Sequence, residues 1–182
     1  MSQLADAATV PFSFGQEVFK TGVTFITGVP DSEFKALISD LERNELHANY
    51  VPATREDNAV ALAVGAHLAG DRPMVFMESS GFGNTVDVLT SLVLVYEVPL
   101  VLFIAWAGYK GRDVPHHNAI GEALAPMLDA LDIPFAEVVL DKDRPEQVVR
   151  ALGEAQARAE AQGRCVAVVG IPAKFADKSG EA

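Results

Sequence analysis

Residues 74–105 read MVFMESSGFGNTVDVLTSLVLVYEVPLVLFIA, a stretch that outlines a strand, a helix and a second strand. The apolar runs Met74–Met77 and Leu100–Ala105 are short and contain Val, Ile and Phe, as expected of strands buried on both faces. The segment between them, Asn84–Tyr96, is mostly apolar and has the length of a helix. Such a unit predicts two parallel strands joined by a crossover helix.

The same alternation continues over most of the chain. Four further strands are predicted, at Val23–Val29, Asn49–Ala53, Phe135–Leu140 and Cys165–Ile171. Three further helices are predicted, at Ser32–Arg43, Asp57–Ala69 and Pro145–Gln162. This order predicts an α/β fold, namely a doubly wound, mainly parallel six-stranded sheet with helices on both faces.

The charge balance limits the classes of partner. The 182 residues include 14 Lys and Arg against 25 Asp and Glu, a formal net charge of -11 at pH 7. A protein that binds nucleic-acid phosphates needs a basic face, so we expect no nucleic-acid partner. The longest apolar stretch is interrupted by Asp87, Glu97 and Pro99, which predicts no membrane span. The single cysteine, Cys165, fits a reducing compartment, and we expect a cytoplasmic protein.

Ligands of a doubly wound sheet bind at the carboxyl ends of its strands. Four predicted strand ends carry polar residues, in segments 28–32, 54–57, 78–84 and 106–117. None of these segments contains a complete dinucleotide-binding glycine motif, a P-loop, a nucleophile elbow or a His-Glu-x-x-His zinc motif. Dehydrogenase, nucleotide kinase, hydrolase and zinc-enzyme functions are therefore disfavoured, and no metal ligand is assigned to this chain.

Glu56 is the candidate catalytic residue that remains. It lies at the junction between a predicted strand and an apolar helix, where a carboxyl group is partly removed from water. Such a group can share a proton with a nitrogen atom of a ligand. An acidic residue in a first helical turn is also stabilised by the helix dipole, without any catalytic role. Position alone leaves both interpretations open.

Several spaced motifs are familiar from one family. The stretches Thr54–Ala59 and Ala63–Ala66 resemble the pyrimidine-binding (PYR) domain of thiamine-diphosphate enzymes, and the match is closer to the sulfopyruvate decarboxylase α subunit and the phosphonopyruvate decarboxylases. The blocks Gly28–Ser32, Ser79–Asn84 and Trp106–Gly108 look like that family's blocks in the same order. The resemblance implies a single PYR-type domain over residues 1–182, with its core at about residues 12–172.

The resemblance implies catalytic roles for Glu56, His116 and His117. The Glu56 carboxyl would hydrogen-bond the pyrimidine ring of the cofactor and so promote deprotonation of its reactive carbon. The two histidines resemble the His-His pair of 2-oxo-acid decarboxylases, where imidazoles move protons. The phosphonopyruvate and sulfopyruvate enzymes more often have Gln-His here, so His116 is a departure that leaves the substrate open. A solvated loop is the alternative interpretation of this pair.

The remaining site residues are also implied by the resemblance. Besides Glu56, the predicted cofactor-binding residues are Gly28, Pro30, Ser80, Gly81 and Asn84. Ser80, Gly81 and Asn84 are expected in a loop before a helix, where backbone N–H groups meet an anion, although a simple helix cap explains them too.

Four residues are predicted to bind the substrate, namely Asp31, Ser32, Lys110 and Arg112. Asp31 and Ser32 correspond to a turn that faces the active site, and either also serves as a helix N-cap. Lys110 and Arg112 are the clustered cations near the expected site. They would bind a sulfonate or phosphonate through charge-assisted hydrogen bonds, and a solvated loop is the alternative.

The family holds the diphosphate and Mg²⁺ on a second domain, marked by Gly-Asp-Gly and Asn-Asn motifs that this sequence lacks. The resemblance therefore implies a diphosphate-binding (PP-domain) β subunit, an α2β2 or larger assembly, thiamine diphosphate shared with that partner chain, and Mg²⁺ held by it. An apolar content of 49% fits helices buried against another chain.

The expected function is decarboxylation of a 3-substituted pyruvate such as sulfopyruvate or phosphonopyruvate, by a chain active only with its partner. Two alternatives stay open. One is a subunit of an acetolactate-synthase-like carboligase, and the other is a non-catalytic binding module of the same fold.

Overall fold

The computed structural model describes residues 12–43 and 49–176. Its helices are α1 (Phe14–Lys20), α2 (Lys35–Arg43), α3 (Glu56–Leu68), α4 (Ser79–Val88), α5 (Pro115–Ala130) and α6 (Pro145–Gln162). Its strands are β1 (Phe25–Gly28), β2 (Tyr50–Pro52), β3 (Pro73–Glu78), β4 (Leu100–Ala105), β5 (Phe135–Leu140) and β6 (Cys165–Pro172). In these two ranges, no helix combines the length and the apolar character needed to cross a membrane.

The six strands form one parallel sheet in the order β2-β1-β3-β4-β6-β5. The chain leaves β1 for the edge strand β2 and returns as β3 on the other side of β1. The direction of winding therefore reverses between β1 and β3, and a crevice opens at the carboxyl ends of these strands. The predicted fold class is confirmed, and the sheet is entirely parallel.

The two faces of the sheet bury separate cores. Val75 and Met77 of β3 pack with α3, α4 and α5, whereas Met74 and Phe76 pack with α1, α2 and α6. The central strands β3, β4 and β6 are buried along almost their whole length, and the edge strands β2 and β5 are partly exposed. The absence of strict apolar–polar alternation in the central strands follows from this double burial.

The predicted helix at Ser32–Arg43 begins with a tighter turn. Asp31 is its N-cap, and its carboxylate accepts a hydrogen bond from the Glu33 N–H at 2.9 Å. A 3-10 turn over Ser32–Phe34 follows and leads directly into α2. The expectation of an N-cap at Asp31 or Ser32 is therefore met by Asp31.

The predicted helix at Asn84–Tyr96 is wrong at both ends. α4 starts earlier, at Ser79, and ends at Val88, where a turn of π-helix over Leu89–Val93 follows it. Gly81 and Gly83 lie inside this helix although glycine costs about 1 kcal/mol relative to alanine there, which is why the sequence indicates a loop.

Helices α1 and α5 are absent from the sequence-based prediction. α1 has only 7 residues, and α5 contains Gly121 and Pro126, which both weaken a helical pattern.

Within this chain α3 buries one side only, since Ala59 and Ala63 are buried while Leu68 is 80% exposed.

Candidate active site

Glu56 is the first residue of α3 and lies just after the carboxyl end of β2. The preceding Arg55 has extended backbone and forms an ion pair with Asp57, with Nε 3.1 Å from Oδ1. Asp57 therefore pairs with Arg55, whereas Glu56 contacts α4. The Glu56 side chain is partly buried, and its Oε2 accepts a hydrogen bond from Asn84 Nδ2 at 2.9 Å.

Gly81 of α4 lies directly against the Glu56 side chain. A Cβ atom on Gly81 would lie 2.2 Å from Glu56 Cδ and 2.3 Å from Oε1. Heavy atoms cannot approach so closely, so only glycine fits here while Glu56 keeps its position. The structure thus brings Glu56, Gly81 and Asn84 together, as the sequence predicts for a cofactor site. It corrects the expected loop, because Ser80, Gly81 and Asn84 all lie within α4.

The loop after β1 contributes fewer contacts than the sequence predicts. Gly28 is buried, and a Cβ there would lie 2.2 Å from the Phe76 carbonyl oxygen in the neighbouring strand. Sheet packing therefore explains this glycine without a ligand. Pro30 and Ser32 are exposed, while the Asp31 carboxylate caps the turn that follows.

The loop after β4 is anchored on α5 by two glycines. Gly108 adopts φ +73°, and a Cβ on it would lie 2.0 Å from the His117 carbonyl oxygen. Gly121 faces it, with Trp106 Nε1 donating a hydrogen bond to its carbonyl at 2.8 Å. This close approach fixes the start of α5, and with it His117, relative to the carboxyl end of β4.

The two histidines lie in the first turn of α5 and not in a loop, which was the alternative interpretation of this pair. The ring centroids of His116 and His117 are 4.4 Å apart, with an edge-to-face arrangement. His116 is exposed and His117 is partly buried. His117 Nδ1 lies 3.0 Å from Asp113 Oδ2, and its Nε2 lies 3.8 Å from Glu78 Oε1.

The pKa of Asp113, the acid bonded to His117 Nδ1, is shifted by its surroundings. Burial alone would raise its pKa, but hydrogen bonds from the Gly108 and Val114 N–H groups and from His117 outweigh burial and lower the pKa to about 2. The carboxylate is therefore ionised at neutral pH.

A second chain of contacts joins the ends of β3 and β4. Ser80 Oγ donates a hydrogen bond to Glu78 Oε1 at 2.5 Å, and the buried Ser79 donates from Oγ to the Ala107 carbonyl oxygen at 3.2 Å. The Ser80 contact holds the Glu78 carboxylate beside α4, near His117.

Lys110 and Arg112 have contacts of their own. Lys110 Nζ lies 5.0 Å from the centre of the Tyr109 ring, and Arg112 Nη1 donates a hydrogen bond to the Phe175 carbonyl oxygen at 2.9 Å. Both are exposed. Across residues 12–43 and 49–176 we find no group of three His, Cys, Asp or Glu residues arranged to hold a metal ion.

Asp113 and Glu78 are the site residues that sequence reasoning misses. The signal for Asp113 is its place four residues before His117 with Pro115 between them, because proline is favoured in the first turn of a helix. Glu78 carries no such signal, since its link to His117 depends on how β3 meets α5.

Comparison with known proteins identifies similar chains. The family described as "Thiamine pyrophosphate enzyme, N-terminal TPP binding domain" matches residues 16–133. Sulfopyruvate decarboxylase subunit alpha from Methanocaldococcus jannaschii is 32% identical over 114 residues, which cover 63% of this chain and 67% of that one. Phosphonopyruvate decarboxylase from Streptomyces viridochromogenes is 34% identical over 116 residues, which cover 63% of this chain and 29% of that one.

Solved structures share the fold over most of the chain. Benzoylformate decarboxylase from Polynucleobacter necessarius superposes with a TM-score of 0.66 at 21% identity, covering 89% of this chain. The matched region is 30% of the benzoylformate decarboxylase chain, so this chain spans less than a third of it.

Proposed function

Because this chain belongs to the thiamine pyrophosphate enzyme family, through its N-terminal TPP-binding domain, we propose that it is the pyrimidine-binding (α) subunit of a heteromeric, thiamine-diphosphate-dependent 2-oxo-acid decarboxylase. The proposed substrate is a 3-substituted pyruvate such as sulfopyruvate or phosphonopyruvate. Its support is the similarity to a sulfopyruvate decarboxylase subunit and a phosphonopyruvate decarboxylase. In this proposal residues 1–182 form a single PYR-type domain with its core at about 12–172.

The observation that carries this proposal is the setting of Glu56. Its carboxyl group is partly buried at a helix N-terminus, held by Asn84 through one oxygen and backed by Gly81. If Glu56 only stabilised the helix dipole, α4 could carry a side chain at the position where it has Gly81. The absence of a side chain at Gly81 makes room for the Glu56 carboxyl, which favours a chemical role for Glu56.

These residues fit the pyrimidine ring of thiamine diphosphate. Glu56 would accept or share a proton at the ring nitrogen, and Asn84 would keep the carboxyl oriented while it does so. Thiamine diphosphate, when bound, supplies the electron sink for the pair left by loss of CO₂. Gly28, Pro30 and Ser80 remain proposed contacts to the cofactor, although packing against Phe76 alone explains the glycine at position 28.

His117 and His116 would move protons at the reacting carbon. Imidazole exchanges protons near neutral pH, and the anchored start of α5 fixes the place of both rings at the carboxyl end of the sheet. Asp31, Ser32, Lys110 and Arg112 are proposed to surround the substrate. The two cations would then attract an anionic group on the third carbon.

The partner we propose is a diphosphate-binding (PP-domain) β subunit that holds Mg²⁺ and shares the cofactor, in an α2β2 or larger assembly. The relative named as subunit alpha supports a multi-chain enzyme. We also propose a cytoplasmic setting, which suits the free, buried thiol of Cys165.

The test is CO₂ release from a panel of 2-oxo acids. The tagged chain is purified from its source with the partner that accompanies it, and assayed with thiamine diphosphate and Mg²⁺ present or omitted. We expect cofactor-dependent release that is fastest with a pyruvate carrying an anionic 3-substituent. A complex that consumes pyruvate only when a second 2-oxo acid is present would instead be a carboligase. A complex that turns over no 2-oxo acid would refute the proposed function.

A further inference from the structure

His117 is held between two carboxylates on different elements. Asp113 Oδ2 lies 3.0 Å from Nδ1, within hydrogen-bond distance, whereas Glu78 Oε1 lies 3.8 Å from Nε2 and is not bonded to it. The two ring nitrogens therefore have different partners. Nδ1 forms a hydrogen bond with Asp113, and Nε2 faces the Glu78 carboxylate beyond hydrogen-bond distance.

Backbone N–H groups hold the Asp113 carboxylate independently of its contact with His117. Its Oδ1 accepts the Val114 N–H at 2.8 Å, and its Oδ2 accepts the Gly108 N–H at 3.0 Å. The side chain is only 13% exposed, so the carboxylate is held with little freedom. An ionised carboxylate accepts hydrogen bonds only, and Nδ1 beside it must carry the proton.

We propose that Asp113 is a positioning residue that holds His117 as its Nδ1–H tautomer, so that Nε2 is the ring atom that exchanges protons. This inference rests on the proposed function, in which His117 moves a proton. The carbon that loses CO₂ retains an electron pair and must take up one proton. His117 protonated at both nitrogens delivers the Nε2 proton to that carbon and returns to the neutral Nδ1–H form. Asp113 stabilises the charged ring and does not change its own protonation.

The tautomer is measured directly by long-range ¹H–¹⁵N NMR on the full, ¹⁵N-labelled chain at alkaline pH, where imidazole is neutral. The chain has 4 histidines, and a His117→Gln variant identifies the signals of His117. We expect a protonated Nδ1 and a bare Nε2. A protonated Nε2, or a fast mixture of both forms, overturns the proposal whatever the enzyme's activity.

Asp113→Ala tests the cause, with Asp129→Asn as the matched control because Asp129 is exposed on the same helix as His117. We expect Asp113→Ala to move His117 to the Nε2–H form, which is favoured in a free histidine side chain, while Asp129→Asn leaves the tautomer as in the wild type. Retention of the Nδ1–H form in a folded Asp113→Ala chain overturns the proposal. If that variant does not fold, the wild-type spectrum still decides.

The catalytic consequence is measured in the complex with the partner subunit. Asp113→Ala should lower kcat about 10- to 100-fold with little change in KM, as loss of an orienting partner does. An unchanged kcat, or a change confined to KM, contradicts the positioning role. Failure of the wild-type complex to release CO₂ would reject the proposed function instead, and the NMR result would remain a separate finding.

Discussion

Gly81 and Glu56 are in such close contact that a methyl group on Gly81 would lie 2.2 Å from the Glu56 carboxyl carbon. The glycine is in the first turn of α4 and the glutamate in the first turn of α3. A helix of ordinary composition would carry a side chain at this point. The position of the acid therefore depends on a residue that a helix otherwise disfavours.

Gly81→Ala should inactivate the enzyme without unfolding it. Alanine favours the helix, but its methyl group must displace the Glu56 carboxyl, and misplacement of a catalytic group by about 1 Å costs about 100-fold in rate. The measurement is kcat of the complex together with the free energy of unfolding of the chain.

Gly83→Ala is the matched control for that variant. Gly83 lies in the same helix and is exposed, and a Cβ on it would meet nothing within 4 Å in the described part of the chain beyond its own helix. We expect a gain in stability of about 0.5–1 kcal/mol and normal activity. Equal activity in the two variants would show that the contact with Glu56 has no functional weight.

Asn84→Ala should weaken catalysis less severely. It removes the Nδ2 donor 2.9 Å from Glu56 Oε2 and leaves the backbone of α4 unchanged. A hydrogen bond to a charged group contributes about 1.5–3 kcal/mol, so kcat/KM should fall about 10- to 100-fold. Ser91→Ala, which removes a hydroxyl bonded to its own helix, is the control. A loss in Ser91→Ala as large as in Asn84→Ala would contradict this role.

Gly108→Ala should destabilise the fold more than Gly111→Ala. Both glycines have positive φ, +73° and +66°. A Cβ on Gly108 would lie 2.0 Å from the His117 carbonyl oxygen, whereas a Cβ on Gly111 would meet nothing within 4 Å in the described part of the chain. Strain alone costs about 1–2 kcal/mol and overpacking adds about 1–3 kcal/mol. Urea unfolding of the two variants measures the difference, and similar losses in both would refute the contact between this loop and α5.

Because of Asp113, the free energy of unfolding of the chain should fall at acidic pH. Its pKa is about 2 in the folded protein, below the ordinary value of 3.8, so its stabilising effect is complete above about pH 4 and is lost as the pH falls towards 2. Asp113→Asn should therefore lower the free energy of unfolding by about 2 kcal/mol at pH 7, and by less as the pH approaches 2. A difference from wild type that stays constant from pH 7 to pH 2 would contradict this account.

The sequence predicts the sheet well and the helices around the site less well. Short apolar runs at Leu100–Ala105 and Cys165–Ile171 coincide closely with β4 and β6, because strands buried on both faces need little besides apolar side chains. α4 and α5 are harder to predict, since Gly81 and Gly121 are required by contacts with distant residues. Local propensity counts these glycines as helix breakers, and only the tertiary structure shows why they are there.

The candidate site divides in the same way. Glu56, Gly81 and Asn84 can be grouped from sequence through the family that their motifs resemble, and the structure brings them into contact. Asp113 has only a weak signal in the sequence, its place four residues before His117, because it is fixed by backbone N–H groups. Glu78 emerges only from the structure, since it meets His117 across two elements. Hydrogen bonds to the backbone leave no pattern in side-chain types.

The most direct test compares CO₂ release by the wild-type complex with release by complexes carrying Glu56→Gln and Glu154→Gln. Glutamine keeps the size of Glu56 but cannot share its proton, whereas Glu154 is exposed on α6. We expect a loss of at least about 100-fold for Glu56→Gln with the fold retained, and normal release for Glu154→Gln. Full activity of the Glu56→Gln complex would contradict the central claim that this carboxyl group takes part in the chemistry.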